Sequence, residues 1–192
     1  MGNLRSVQKA FEYLGFDARI TDSKRDLIDA SHIVLPGVGA FGDAVKNLNE
    51  SGMQETMLGE IEKGKPFLGI CLGLQLLFDV SFENGEYEGL SLVPGQVVQF
   101  KVKGLKVPHM GWNRLVVRSN ALIDSAGADK FVYFVHSYHA ASVPREYVIA
   151  EADYGYRFTA AVNKDNIYGM QYHPEKSGDV GLSMLRRFGG LK

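Results

Sequence analysis

The chain of 192 residues has a single cysteine, Cys71, and that scarcity excludes an internal disulfide framework and any cysteine-rich zinc site. One lone thiol fits a reducing, cytoplasmic compartment. An excess of charge is lacking too: 21 basic against 22 acidic residues leave −1 with histidines neutral. That balance gives no electrostatic basis for binding nucleic acid or an anionic membrane. The longest apolar stretch, Phe67 to Phe78, reaches about half the ~20 residues of a membrane span and carries Gln75 in its middle, so no membrane crossing is expected. The opening Met1-Gly2-Asn3-Leu4-Arg5-Ser6 lacks the basic-then-apolar pattern of a secretory signal. Internal repeats, low-complexity tracts and linkers are missing as well. What is there is a length that suits one domain over residues 1–192 and a hydrophobic content of 45 %, enough for a core without disulfides or metal. Small molecules and proteins remain as partners.

Val7, Ala10, Phe11 and Leu14 recur at helical spacing ahead of Gly15, so the chain is expected to open with an amphipathic helix. A short strand is expected at Ala18 to Ile20, and Ile33-Val34-Leu35 reads as a buried strand ended by Pro36-Gly37. A helix follows from about Phe41 to Ile61, with a break near Gly52. Pro66 to Ile70 is the next buried strand, and helical spacing resumes at Leu72, Gln75, Leu76 and Leu77. From Gln96 the texture turns β-branched and aromatic, predicting strands at Val97–Val102, Leu115–Arg118, Val132–Val135, Val148–Ala152, Thr159–Val162 and Ile167–Tyr172, before a last helix at Val180–Phe188. This order predicts a three-layer α/β fold, with a mostly parallel sheet and an antiparallel extension.

Gly69-Ile70-Cys71-Leu72-Gly73 has the form G-x-C-x-G at the seam between a predicted strand and a predicted helix. This is the nucleophile-elbow pattern with cysteine in place of serine, where small flanking residues are needed because the turn is tight. A lone cysteine is most often an inert core residue, but a structural cysteine has no need of two flanking glycines and an abrupt strand-to-helix change. A thiol at a helix N-terminus is favoured as thiolate, and it still needs a base, because a free thiol titrates near ~8.5.

Of the five histidines, His173 stands just after a predicted strand in Gln171-Tyr172-His173-Pro174-Glu175-Lys176. A histidine before a proline is ordinarily a loop residue. In an extended segment, however, residues 173 and 175 share a side, so Glu175 can hold the imidazole while its other nitrogen faces the thiol. A thiolate attacking an acyl carbon also requires donors for the oxyanion. The Leu72 N–H is one candidate, and the Pro36-Gly37-Val38-Gly39 loop, by position, offers a second through Gly37, Val38 or Gly39. The residues alone thus predict cysteine acyl transfer by a Cys71–His173–Glu175 triad, without a metal or cofactor.

The segments Pro36–Gly39, Gly69–Gln75 and His173–Glu175 together resemble the class I (triad) glutamine amidotransferases. Pro108-His109-Met110-Gly111-Trp112-Asn113, Val135-His136-Ser137-Tyr138 and Gly2-Asn3-Leu4-Arg5-Ser6-Val7 narrow the resemblance to the glutaminase subunits of histidine biosynthesis, over essentially the whole chain. The resemblance implies hydrolysis of the glutamine side-chain amide through a thioester on Cys71, with His173 as base and acid and Glu175 as orienter. It further implies that Gln75 and Glu83 hold bound glutamine, with Glu83 on the α-ammonium group and the backbone of Ser137 and Tyr138 on the α-carboxylate. It implies passage of ammonia to a separate β/α-barrel cyclase subunit in a heterodimer, with Asn3, Trp112, Tyr133 and Lys176 at or near the interface. Trp112 is the only tryptophan, and its competing reading is a core aromatic. Members of the family usually begin with an apolar strand before the Gly-Asn segment, so the expectation here is a sheet short of its first strand. Three rivals stay open on sequence: another amidotransferase subunit, a non-catalytic binding module that kept the fold, and a free-standing cysteine hydrolase.

Overall fold

A computed structural model of the chain describes residues 2–118, 120–124 and 129–192, with side chains from Leu4 onward. The first described element is helix α1, Gly2–Tyr13. Its Val7, Ala10 and Phe11 are buried, and it ends where Gly15 adopts a φ of +89° that a side chain would resist. Helix α2, Lys24–Asp29, is capped by Ser23, whose Oγ accepts from the Asp26 N–H. The long helix expected after residue 41 is two helices, α3, Phe41–Glu50, and α4, Met53–Glu62, separated at Gly52 with φ +64°.

Strands β1, Ile33–Gly37, β2, Phe67–Cys71, and β11, Ile167–Met170, form a parallel unit with β2 in the centre. All five residues of β2 are buried, and alternate side chains enter different cores, as period-two geometry requires. Leu68 and Ile70 join Phe11, Met184 and Phe188 on the side of α1 and α6, Gly178–Gly189. Phe67 joins Phe41, Met57, Ile61 and Leu77 beneath α3 and α4. The expected three layers are therefore present.

The antiparallel extension is the larger part of the sheet. Strands β3, Val80–Ser81, β4, Tyr87–Glu88, β5, Gln96–Gln99, and β8, Tyr138–Ala141, continue it in the order β1-β2-β11-β10-β8-β5-β3-β4, where β10 is Arg157–Lys164. Only β3 and β5 are parallel there. A branch of β6, His109–Val117, β7, Lys130–His136, and β9, Val148–Asp153, is antiparallel throughout and joins through β9 to β10. Short links between consecutive segments, such as residues 154–156 between β9 and β10, favour antiparallel neighbours.

The strand expected at Ala18–Ile20 does not form. No described strand pairs with that segment, and the Ala18 carbonyl instead accepts from the Gln8 amide at 2.9 Å. Among the described strands β1 pairs with β2 alone. Residues after Cys71 make a single helical turn, α5, Leu72–Gln75, before the chain turns away. Among the described residues no helix is long and apolar enough to cross a membrane.

Candidate active site

Cys71 is the last residue of β2 and the residue preceding α5, with φ +56° and ψ −107°, a backbone conformation costly for any residue with a side chain. The flanking glycines permit it. A Cβ on Gly73 would overlap the Leu35 carbonyl oxygen, and one on Gly69 would stand 2.6 Å from the Gly73 carbonyl carbon. The register pairs Gly37 with Cys71 across β1 and β2, so the Pro36–Gly39 loop leaves the sheet beside the thiol. A Cβ on Gly37 would meet that of Leu72 at 2.9 Å. Gly39 has φ +106° and Val38 is 58 % exposed. Leu72 follows the nucleophile directly, and Gly37, where the loop of Val38 and Gly39 begins, stands beside both.

His173 follows β11 and is almost wholly buried. Its Nδ1 lies 2.9 Å from Glu175 Oε1, and Pro174 fixes the chain between them. The ring also hydrogen-bonds Cys71. Burial opposes a charged imidazole, but the hydrogen bonds to Cys71 and Glu175 and their charges outweigh it, pushing His173 up to about 9. Cys71 and Glu175 thus both act on the His173 imidazole, the carboxylate through Nδ1.

Gln75, 5 % exposed, donates to the Tyr138 carbonyl at 3.0 Å and to Gln171 Oε1 at 3.2 Å. Tyr138 opens β8, and Ser137 before it accepts from the Phe100 N–H at 3.0 Å. Through Gln75 and Gln171 the Tyr138 carbonyl is thus joined to Cys71. Glu83 is half-buried, and its carboxylate accepts from the Phe41 N–H at 2.7 Å, the first residue of the helix that follows the Pro36–Gly39 loop. Trp112 faces Tyr133 across β6 and β7 with ring centroids 6.1 Å apart, and it is 58 % exposed, so the core-aromatic reading fails. Lys176 is exposed and forms no ion pair among the described residues. Asn3 lies in the first turn of α1, and its side chain falls outside the described residues.

Two residues escaped the sequence reading. Gln171 is fully buried and its amide donates to Cys71 Sγ at 3.8 Å. The alternation that put 173 and 175 on one side extends back to 171 and could have found it. Ser177 donates to the His173 carbonyl at 2.6 Å and accepts from the Tyr133 N–H at 3.0 Å, while the His173 N–H reaches the Tyr133 carbonyl at 2.9 Å. The histidine turn is thereby clamped to β7. No sequence signal marks a serine for that task.

The family model for glutamine amidotransferase class-I matches residues 2–189. Among curated relatives, the imidazole glycerol phosphate synthase subunit HisH of Caldanaerobacter subterraneus subsp. tengcongensis is 47 % identical over 192 residues, covering 100 % of this chain and 94 % of that protein. The subunit of the same name from Geobacter metallireducens is 50 % identical over 197 residues, covering 98 % and 93 %. Among solved structures, a glutamine amidotransferase superposes with a TM-score of 0.75 at 20 % identity, covering 96 % of this chain and 93 % of the other. PurLQS from Thermotoga maritima gives 0.67 at 19 %, covering 96 % and 90 %. The structural likenesses speak to the fold, and the sequence matches are specific: this chain belongs to the class-I glutamine amidotransferases, among the HisH subunits of imidazole glycerol phosphate synthase.

Proposed function

We propose that this single domain hydrolyses the side-chain amide of L-glutamine with Cys71 as nucleophile, His173 as general base and acid, and Glu175 as its orienter. The observation that carries the reading is the alignment of Cys71, His173 and Glu175 at a strained strand-to-helix turn, with Nδ1 of His173 held 2.9 Å from Glu175. Sγ attacks the amide carbon, and the carbonyl oxygen becomes an oxyanion facing the Leu72 N–H and an N–H of the Gly37–Gly39 loop. Such donors are worth ~3 kcal/mol each. The carbon–nitrogen bond then breaks as His173 gives its proton to the departing nitrogen, releasing ammonia and leaving a γ-glutamyl thioester. Water, deprotonated by His173, attacks that thioester, and glutamate leaves as the thiol is restored. Glu175 stabilises the imidazolium formed in each half.

Gln75 and Glu83 border the substrate, Glu83 pairing with the α-ammonium group and the backbone of Ser137 and Tyr138 taking the α-carboxylate. The ammonia passes to the cyclase subunit HisF, a β/α barrel, which uses it to form imidazole glycerol phosphate and aminoimidazole carboxamide ribonucleotide in histidine biosynthesis. The names of the close relatives support a two-subunit enzyme. So does an exposed apolar strip on β6 and β7, where Met110, Trp112 and Phe131 are 62, 58 and 48 % exposed. Tyr133 on that strip, Lys176 one residue past Glu175, and Asn3 complete the proposed docking face.

The test is Cys71→Ala in the two-subunit enzyme. Glutamine-dependent synthesis is expected to vanish while synthesis from added ammonia persists. Retained glutamine-dependent synthesis, or loss of both activities in a folded complex, contradicts the proposal.

A further inference from the structure

Behind the glutamine site lies a buried histidine pair that the triad does not use. His136 ends β7, and its Nδ1 is 2.8 Å from the Tyr138 carbonyl oxygen. A carbonyl oxygen only accepts, so the proton sits on Nδ1 and Nε2 of the neutral ring must accept in turn. Its neighbour is His109 Nδ1 at 3.3 Å, which therefore donates. That leaves His109 Nε2 as acceptor, and Asn113 Nδ2 stands 3.3 Å away, donating also to the Asp153 carbonyl at 2.7 Å. Every proton in this row has one consistent place.

The surroundings keep it so. His109 and His136 are 3 % and 6 % exposed, Phe100 lies against both rings, and His109 stacks between Phe134 and Tyr154. Burial pushes His109 down to about 4 and His136 down to about 3, so both are neutral at pH 7. The Tyr138 carbonyl consequently receives two donors, Gln75 from the cysteine side and His136 from the β6 side. Gln75 leads on to Gln171 and Gln171 to Cys71. The outer end, Asn113, adjoins Trp112 on the exposed strand.

We propose that His136, oriented by His109 and Asn113, is a positioning residue for the glutamine site: its Nδ1–H, with Gln75, fixes the Tyr138 carbonyl and so sets the Ser137–Tyr138 backbone that receives the substrate's α-carboxylate. This deepens the proposed function and rests on its assignment of Ser137 and Tyr138. A positioning role at the carboxylate end affects substrate binding more than the chemistry at the amide end, whereas damage to the triad lowers kcat.

The experiment measures steady-state glutamine hydrolysis by the complete two-subunit enzyme with His136→Phe, which keeps ring volume but loses the donor, and His136→Asn, whose amide nitrogen stands near the position of Nδ1. The phenylalanine variant is expected to raise the glutamine KM about tenfold with kcat changed less than threefold, and the asparagine variant to return KM to within about threefold of wild type, by the ordinary worth of one hydrogen bond. Ammonia-dependent synthesis, measured in parallel, should be unchanged. An unchanged KM in the phenylalanine variant, a loss confined to kcat, or equal defects in both variants overturns the proposal. Should the phenylalanine variant not fold, Asn113→Leu carries the test. It frees the far end of the row and is expected to raise KM about threefold, and an unchanged KM there refutes the idea. A wild-type enzyme without glutamine turnover would instead refute the proposed function itself.

Discussion

Replacing Gly73 by alanine should disable the enzyme through a collision that can be located to one peptide. A Cβ there would overlap the Leu35 carbonyl oxygen and lie 2.9 Å from the Leu35 carbonyl carbon, both backbone atoms of β1. Carbon atoms pack at about 3.5–4.0 Å, so the Leu35 peptide has to retreat by about 1 Å. Leu35 pairs with Gly69 in the β1–β2 ladder, two residues from the Gly37–Cys71 pair. Losing two ladder hydrogen bonds costs about 2 kcal/mol, and overpacking adds roughly 1–3 kcal/mol. Against this stands the better helix propensity of alanine, at most about 1 kcal/mol. The net loss is about 2–4 kcal/mol, or a fall in Tm of roughly 5–15 °C for a chain of this size. A displacement of 1 Å at the nucleophile lowers turnover by about 10²-fold. Gly59 provides the control, since it lies inside α4 with nothing within 4 Å of an added Cβ. Gly59→Ala should raise stability by roughly 0.5–1 kcal/mol and leave turnover intact. Thermal unfolding followed by circular dichroism and steady-state glutaminase kinetics read both variants. A Gly73→Ala protein as stable and as active as wild type would refute the steric account of the elbow.

Three further expectations concern the histidine turn. Cys71 supplies the first of the interactions that raise His173, so Cys71→Ala should lower its titration well below about 9 in an NMR series, and an unmoved midpoint would separate the two residues. Because the folded value exceeds the ordinary 6.5, the imidazolium's contribution to stability is complete below pH 6.5 and fades as pH rises through about 9. Glu175→Gln should flatten that fall in urea-midpoint measurements, whereas an identical pH profile would mean that Glu175 does not hold the charge. Ser177→Ala removes the bonds to His173 and Tyr133 and leaves the Tyr133 N–H without its partner, at about 2 kcal/mol of stability with a drop in kcat. Unfolding and turnover both at wild-type values would show the clamp to be dispensable.

Much of the site was legible because each step of its chemistry leaves a local mark. The glycines at 69 and 73, the histidine and glutamate two residues apart and the break near Gly52 all follow from backbone rules confined to a few residues. What escaped depends on tertiary partners. Ser177 acts through Tyr133, and Gln171 through Cys71, pairs separated by tens of residues in sequence. Ala18–Ile20 had the look of a strand but found no neighbour to pair with. The size of the antiparallel part was underestimated because β6 reads as a strand only from Leu115, while its first half, His109 to Arg114, alternates polar and exposed apolar residues. Those exposed residues are ones an isolated domain would not favour, and they lie on the face proposed above for docking the cyclase subunit.

The central claim is that Cys71 forms a covalent bond to the γ-carbonyl of glutamine. Acid quenching of the two-subunit enzyme during turnover of glutamine, followed by digestion and mass spectrometry of the peptide containing Cys71, tests it most directly. The account predicts a γ-glutamyl adduct on Cys71 that accumulates when deacylation is slowed and is absent from Cys71→Ala. An adduct on another residue, or sustained hydrolysis of glutamine by Cys71→Ala, would contradict it.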